Sequence, residues 1–141
     1  MSITSEATTL WLGDLMTGSG TTSLDSSDAA EFPVSWQARA NSTAGKTNPE
    51  ELLGAAHSAC FSMAFANALA SHGTPPQSLQ VTAAVTFEPG TGITGSHLLV
   101  SAKVAGLTDA DFQRLAADAK VNCPVSQALT GITITLEASL A

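Results

Sequence analysis

Asn48 to Ser71 reads NPEELLGAAHSACFSMAFANALAS, and this stretch decides the fold. Asn48-Pro49-Glu50 is a helix start: an N-cap side chain, proline at the first helical position and an acid in the first turn. Gly73 suits the residue that ends a helix in left-handed conformation, and Pro75-Pro76 forbid continuation. Between Glu51 and Glu88 there is no Asp, Glu, Lys or Arg. A helix that is apolar or small on every face is normally buried. Cys60, one of two cysteines, lies at its middle, either as inert filler or as a protected reactive group.

Working outward, Val81 to Glu88 and Thr94 to Val104 read as two strands around a turn at Pro89-Gly90-Thr91-Gly92. Thr108, with Asp111 three residues on, opens a second helix whose apolar stripe is Phe112, Leu115, Ala116 and Ala119. Asn122-Cys123-Pro124 interrupts it, Val125 to Leu129 make a short helical piece, and Ile132 to Leu140 alternate as a last strand. Upstream, Thr8 to Leu12 is strand-like and Gly13-Asp14 suggests a turn. Thr17 to Thr22 reads as loop, with a possible edge strand at Ser23-Leu24. Phe32 to Ala40 alternates from Val34 and reads as a strand with one buried face, which places Arg39 on that strand. The class is α+β, one domain over residues 1–141, with two groups of strands separated by a long central helix.

Charged residues make up only 12% of the chain, about half the usual share, which suggests a surface buried between subunits. The net charge of −7 disfavours nucleic acid and anionic membrane as partners. Leu52 to Ser71 is long enough to cross a bilayer, but His57, three serines, Asn67 and many alanines make it a poor span. The N-terminus lacks a basic region followed by an apolar run, so a cytoplasmic location is expected.

Cys60 and Cys123 form no CxxC motif, and the scattered cysteines and histidines offer no metal-ligand spacing. Two buried thiols remain one reading. Cys123 precedes Pro124, so it occupies an N-cap slot where backbone N–H groups favour a thiolate. Cys60 is mid-helix, where burial raises a thiol's pKa, so reaction there requires a cation. The chain holds only Arg39, Lys46, Lys103, Arg114 and Lys120. Arg114 and Lys120 read as solvated helix charges, which directs attention to Arg39. His57, one turn before Cys60, is either a local base or a core histidine with satisfied hydrogen bonds. Phe61, Met63 and Phe65 read as core or pocket wall, and His72 and His97 as surface residues.

The runs NPEELLGAAHSACFSMA and NCPVSQAL resemble the OsmC/Ohr family, closer to its OsmC branch, over essentially the whole chain. The resemblance implies an intertwined homodimer, with two long central helices packed between antiparallel β-sheets. It implies a thiol-dependent peroxidase acting on organic hydroperoxides, and more weakly on hydrogen peroxide, in oxidative or osmotic stress. By the same resemblance Cys60 is the peroxidatic cysteine, Cys123 the resolving one, Glu50 an acid of the active-site network and Arg39 its arginine. No cofactor or metal is implied; the reductant is an external dithiol of lipoyl type.

The chemistry suits those residues. A thiolate attacks one peroxide oxygen while the other leaves as alkoxide, and a positive group stabilises both. Arginine stays protonated and presents several donors at once, and Glu50 would orient it. Cys60 sulfenic acid then condenses with Cys123. Glu50 and Cys60 are ten positions apart, about 15 Å along a straight helix. Antiparallel central helices would therefore let Glu50 of one chain complete the site around Cys60 of the other. A redox sensor, or a non-enzymatic dimer with inert thiols, is the alternative.

Overall fold

In the computed structural model, which describes residues 1–141, the first unit (Met1–Leu52) carries a three-stranded antiparallel sheet. Its strands are β1 (Thr8–Leu12), β2 (Ser19–Ser23) and β3 (Glu31–Val34), in spatial order β1-β2-β3. Residues 19–23 are thus a central strand rather than loop. They lack an apolar alternation because β2 is Ser-Gly-Thr-Thr-Ser, and close approach takes its place. A Cβ on Gly20 would stand 2.8 Å from the Trp11 ring and 3.0 Å from a Val34 methyl. The β1–β2 turn uses Gly13 at φ +91° and an Asp14 side chain that accepts from the Thr17 N–H and hydroxyl, at 2.7 and 2.8 Å.

A second correction concerns residues 35–41. Strand β3 ends at Val34, and Trp36–Asn41 is a short helix, α1, so Arg39 is helical. Ser35 is its N-cap, its hydroxyl accepting from the Ala38 N–H at 3.1 Å, and Ser42 ends it at φ +52°. The alternation of Val34, Trp36 and Ala38 imitates a strand only because six residues are too few to show a helical period.

Helix α2 runs from Pro49 to Ser71, as its start and stop signals require. The Asn48 side chain accepts from the Glu51 N–H at 2.8 Å, and Gly73 sits at φ +89°. Its length and mean hydropathy of 1.3 would suffice for a membrane span. In the second unit (Leu53–Ala141), however, one edge of α2, comprising Gly54, His57, Phe61, Phe65 and Leu69, is buried in protein. The opposite edge, with Ala55, Ala56, Ala59, Met63, Asn67 and Ala70, is exposed and still mostly apolar.

The buried edge packs on a three-stranded sheet of β4 (Ser78–Glu88), β5 (Gly92–Lys103) and β6 (Thr133–Leu140), in order β4-β5-β6. β4 and β5 are an antiparallel hairpin, whereas β5 and β6 are parallel, so this sheet is mixed rather than wholly antiparallel. Parallel pairing needs a crossover, and α3 (Asp109–Asn122) with α4 (Pro124–Ala128) supplies it. α3 buries the expected stripe of Phe112, Leu115, Ala116 and Ala119. Phe65 contacts Phe61 and Phe112 with ring centroids 5.5 and 5.4 Å apart. All three rings are fully buried, so Phe61 and Phe65 are core, while Met63 is 73% exposed. Gly54 lets α2 lie close to β4, since a Cβ there would stand 2.8 Å from the Ala83 carbonyl oxygen.

Candidate active site

Two pairs of the residues expected from sequence are brought together. The first is Arg39 with Glu50. Thr47 donates its N–H to the Pro33 carbonyl at 2.9 Å, and the Asn48 amide donates to the Ala38 carbonyl at 3.1 Å. These bonds fold the loop after α1 back, so that the first turn of α2 lies against α1. Arg39 then donates from Nε and Nη2 to the same Glu50 oxygen, Oε1, at 2.9 and 2.7 Å. The carboxylate side chain is only 8% exposed and the guanidinium 29%. A charge so nearly buried is stable only when paired and hydrogen-bonded, so Glu50 constrains where Arg39 sits. Beside the pair lies a cleft of about 350 Å³ walled by Trp11, Leu15, Val34, Trp36 and Leu52, with Arg39 among its lining residues. Apolar walls and one cationic spot are the requirements for binding an apolar molecule with a polar end.

The second pair is Cys60 with Cys123. Both cysteines are free, and their thiols lie near enough for each to influence the other's ionisation. Cys60, on α2, is partly exposed; Cys123, between α3 and α4, is fully buried. Burial pushes the Cys60 thiol up, and the neighbouring Cys123 adds to this against the pull of the Val125 N–H. Cys123 moves the other way. Burial works to raise it, but the Ser126 N–H, the Cys60 thiol, the Ser126 hydroxyl and the Val125 N–H together bring it down. These donors exist because Pro124 restarts the helix at Cys123, leaving the first N–H groups of α4 without helical partners. The two thiols are therefore shifted in opposite directions, the partly exposed Cys60 upward and the buried Cys123 downward.

His57 takes the core reading. It has no exposure, and its two ring nitrogens meet Ser96 Oγ at 2.7 Å and Ser126 Oγ at 2.8 Å. Burial pushes its pKa down. Ser96 and Ser126 were invisible in the sequence as partners, lying 39 and 69 residues from His57. The only available signal was a serine on the inward row of β5, beside Leu98, Val100 and Ala102. His72 is exposed and His97 lies at the surface near Glu137, as expected.

Residues 42–137 match the model of the OsmC-like protein family. The chain is also 40% identical over 133 residues to "Peroxiredoxin OsmC" of Escherichia coli K12, covering 92% of each chain. The chain belongs to the OsmC-like family. A protein of the same name from Shigella flexneri shows the same identity and coverage. Among solved structures, an organic hydroperoxide resistance protein from Elizabethkingia anophelis is 27% identical with a TM-score of 0.73, covering 100% of this chain and 99% of that one. An OsmC-like protein of unknown function from Vibrio cholerae, 15% identical, shares the fold with a TM-score of 0.77 over 98% of this chain and 100% of that one. The mixed α+β architecture of this OsmC-like chain, with two sheets and a long helix, is that of these neighbours.

Proposed function

We propose that this OsmC-like protein is a thiol peroxidase that reduces organic hydroperoxides, and hydrogen peroxide more weakly, through Cys60 and Cys123. The observation that carries the reading is the proximity of the chain's two free thiols, a partly exposed Cys60 and a buried Cys123. It is supported by the peroxiredoxin name of the 40% identical relatives. Cys60 thiolate attacks the peroxide oxygen distal to the organic group, an S–O bond forms, the O–O bond breaks, and the alkoxide leaves as alcohol after taking a proton. Cys123 thiolate then attacks the Cys60 sulfenic sulfur, expelling hydroxide that is protonated to water, and a disulfide results. An external dithiol of lipoyl type returns both thiols by exchange.

Because burial opposes ionisation of Cys60, a cation must be brought to it, and Arg39 held by Glu50 is the group suited to that task. Glu50 and Cys60 stand ten residues apart on one unbroken helix, about 15 Å at 1.5 Å per residue. We therefore assign the Arg39–Glu50 pair to the Cys60 of a second copy in a homodimer. The exposed edge of α2, with Ala55, Ala56, Ala59 and Met63, is the apolar surface such a dimer would cover.

Intact-mass analysis after one equivalent of cumene hydroperoxide tests the chemistry. Wild type should lose two hydrogens as a disulfide, Cys123→Ser should stop at one added oxygen, and Cys60→Ser should leave the peroxide unconsumed. Peroxide consumption by Cys60→Ser at the wild-type rate refutes the assignment.

A further inference from the structure

His57 is the one buried titratable group that the proposed chemistry leaves unused. Its imidazole is bonded at both nitrogens, Nδ1 to Ser96 Oγ at 2.7 Å and Nε2 to Ser126 Oγ at 2.8 Å. The three residues come from three elements, Ser96 from β5, His57 from α2 and Ser126 from α4, and none is more than 5% exposed. Ser126 is also the one buried residue of the five that make α4, with half-buried Val125 packed against the core beside it. The short helix that follows Cys123 is thus tied down by a hydroxyl.

His57 lies three residues before Cys60 on α2, and Ser126 lies three residues after Cys123. One turn forward on α2 is therefore about one turn back towards α3: His57 meets Ser126, and Cys60 lies near Cys123. Further along, Phe65 of α2 meets Phe112 of α3 in the same antiparallel order. Residues three apart are neighbours on a helix face, so the His57–Ser126 bond is the rung next to the cysteines. An apolar contact would tolerate sliding. A buried hydroxyl and a buried ring nitrogen do not, because neither finds water when they are displaced from one another. Cys123 itself joins the two helices: its N–H donates to the Ala119 carbonyl of α3 at 2.9 Å, and its carbonyl accepts from the Gln127 N–H of α4 at 3.0 Å. A shift of α4 therefore moves Cys123.

We propose that His57 is a positioning residue for disulfide formation: clamped by Ser96, it fixes Ser126 and with it the register of α4, so that Cys123 stays opposite Cys60. The role rests on the reading of Cys60 and Cys123 as a disulfide-forming pair. Two thiols give up two electrons and two protons to an oxidant as one S–S bond forms. How readily they do so depends on how often the reduced protein holds the two sulfurs together. Without the Ser126 bond the reduced protein samples other placements of α4. One net hydrogen bond corresponds to about tenfold in that equilibrium, or about 30 mV in a two-electron potential.

The test equilibrates the full-length protein with mixtures of reduced and oxidised dithiothreitol, the oxidised form serving as oxidant. The disulfide fraction is read by acid quench, thiol alkylation and intact mass. Ser126→Ala should form the Cys60–Cys123 disulfide about tenfold less favourably, raising the potential by about 30 mV. Gln and Asn divide the two ring nitrogens between them. The His57→Gln amide reaches where Nε2 stood and should keep nearly the parental potential. The His57→Asn amide reaches only where Nδ1 stood and should shift the potential as Ser126→Ala does. A loss of stability common to the reduced and oxidised forms leaves the potential unmoved, so a merely structural role predicts no shift in any variant. A parental potential in Ser126→Ala and His57→Asn overturns the proposal, as does an equal shift in the Gln and Asn variants. If His57→Asn fails to fold, Ser126→Ala and His57→Gln decide. A wild type that forms no Cys60–Cys123 disulfide overturns the disulfide reading as well, whereas disulfides of parental potential throughout overturn only the positioning role.

Discussion

Replacing Glu50 by Gln separates holding Arg39 in place from merely stabilising the fold. The substitution keeps the shape and an acceptor oxygen but removes the charge that receives Arg39 Nε and Nη2 at 2.9 and 2.7 Å. A hydrogen bond to a charged group contributes about 1.5–3 kcal/mol, a neutral one about 0.5–1.5. Both bonds share one oxygen, and the guanidinium is 29% exposed, so solvent screens part of the difference. A loss of about 1–2 kcal/mol in unfolding free energy is expected, read from urea denaturation. Removing a preorganised donor outright from a developing negative charge costs about 10²–10³ in rate. Loosening Arg39 without removing it should cost less, about tenfold. The assay is single-turnover loss of the Cys60 thiol with cumene hydroperoxide at fixed pH. A variant destabilised as expected but oxidised at the wild-type rate would refute the catalytic role and leave the pair purely structural.

Arg39→Lys should slow Cys60 oxidation further than Glu50→Gln, because an ammonium cannot place two fixed donors on one oxygen while facing a second group; the same single-turnover assay checks it. Mixing Cys60→Ser with Glu50→Ala chains should restore part of the activity in heterodimers if the site is shared, and complete inactivity of the purified heterodimer would defeat the sharing. Stability should fall as pH drops below about 6.5, the ordinary histidine value. His57 is pushed below that value in the folded state, so the unfolded chain binds the extra proton. His57→Gln should flatten this limb in urea titrations from pH 7 to 5. Phe65→Ala, at a fully buried ring between Phe61 and Phe112, should cost about 3–5 kcal/mol by the same method.

The chain's own order of residues determined a good deal. The α2 boundaries follow from Asn48-Pro49 and Gly73, the α3 stripe from Phe112 to Ala119, and the strands after α2 from their alternation. Caps, turns and periodicity act over a few residues and are written locally. Cys60 and Cys123 stood out as the two thiols, and the Cys123–Pro124 step already implied free N–H groups at the second. Only tertiary structure decided the rest. Trp36–Asn41 became a helix because the Ser35 cap and the Asn48 amide bond to Ala38 outweigh a strand-like alternation six residues long. β2 became a central strand because Gly20 admits Trp11 and Val34 over it. β6 joined β5 in parallel because α3 and α4 carry the chain back across the sheet. The Arg39–Glu50 pairing and the Ser96–His57–Ser126 line depend on side chains 11, 39 and 69 residues apart. A hydrogen bond a few ångströms long leaves no trace in sequence until folding has brought its two ends together.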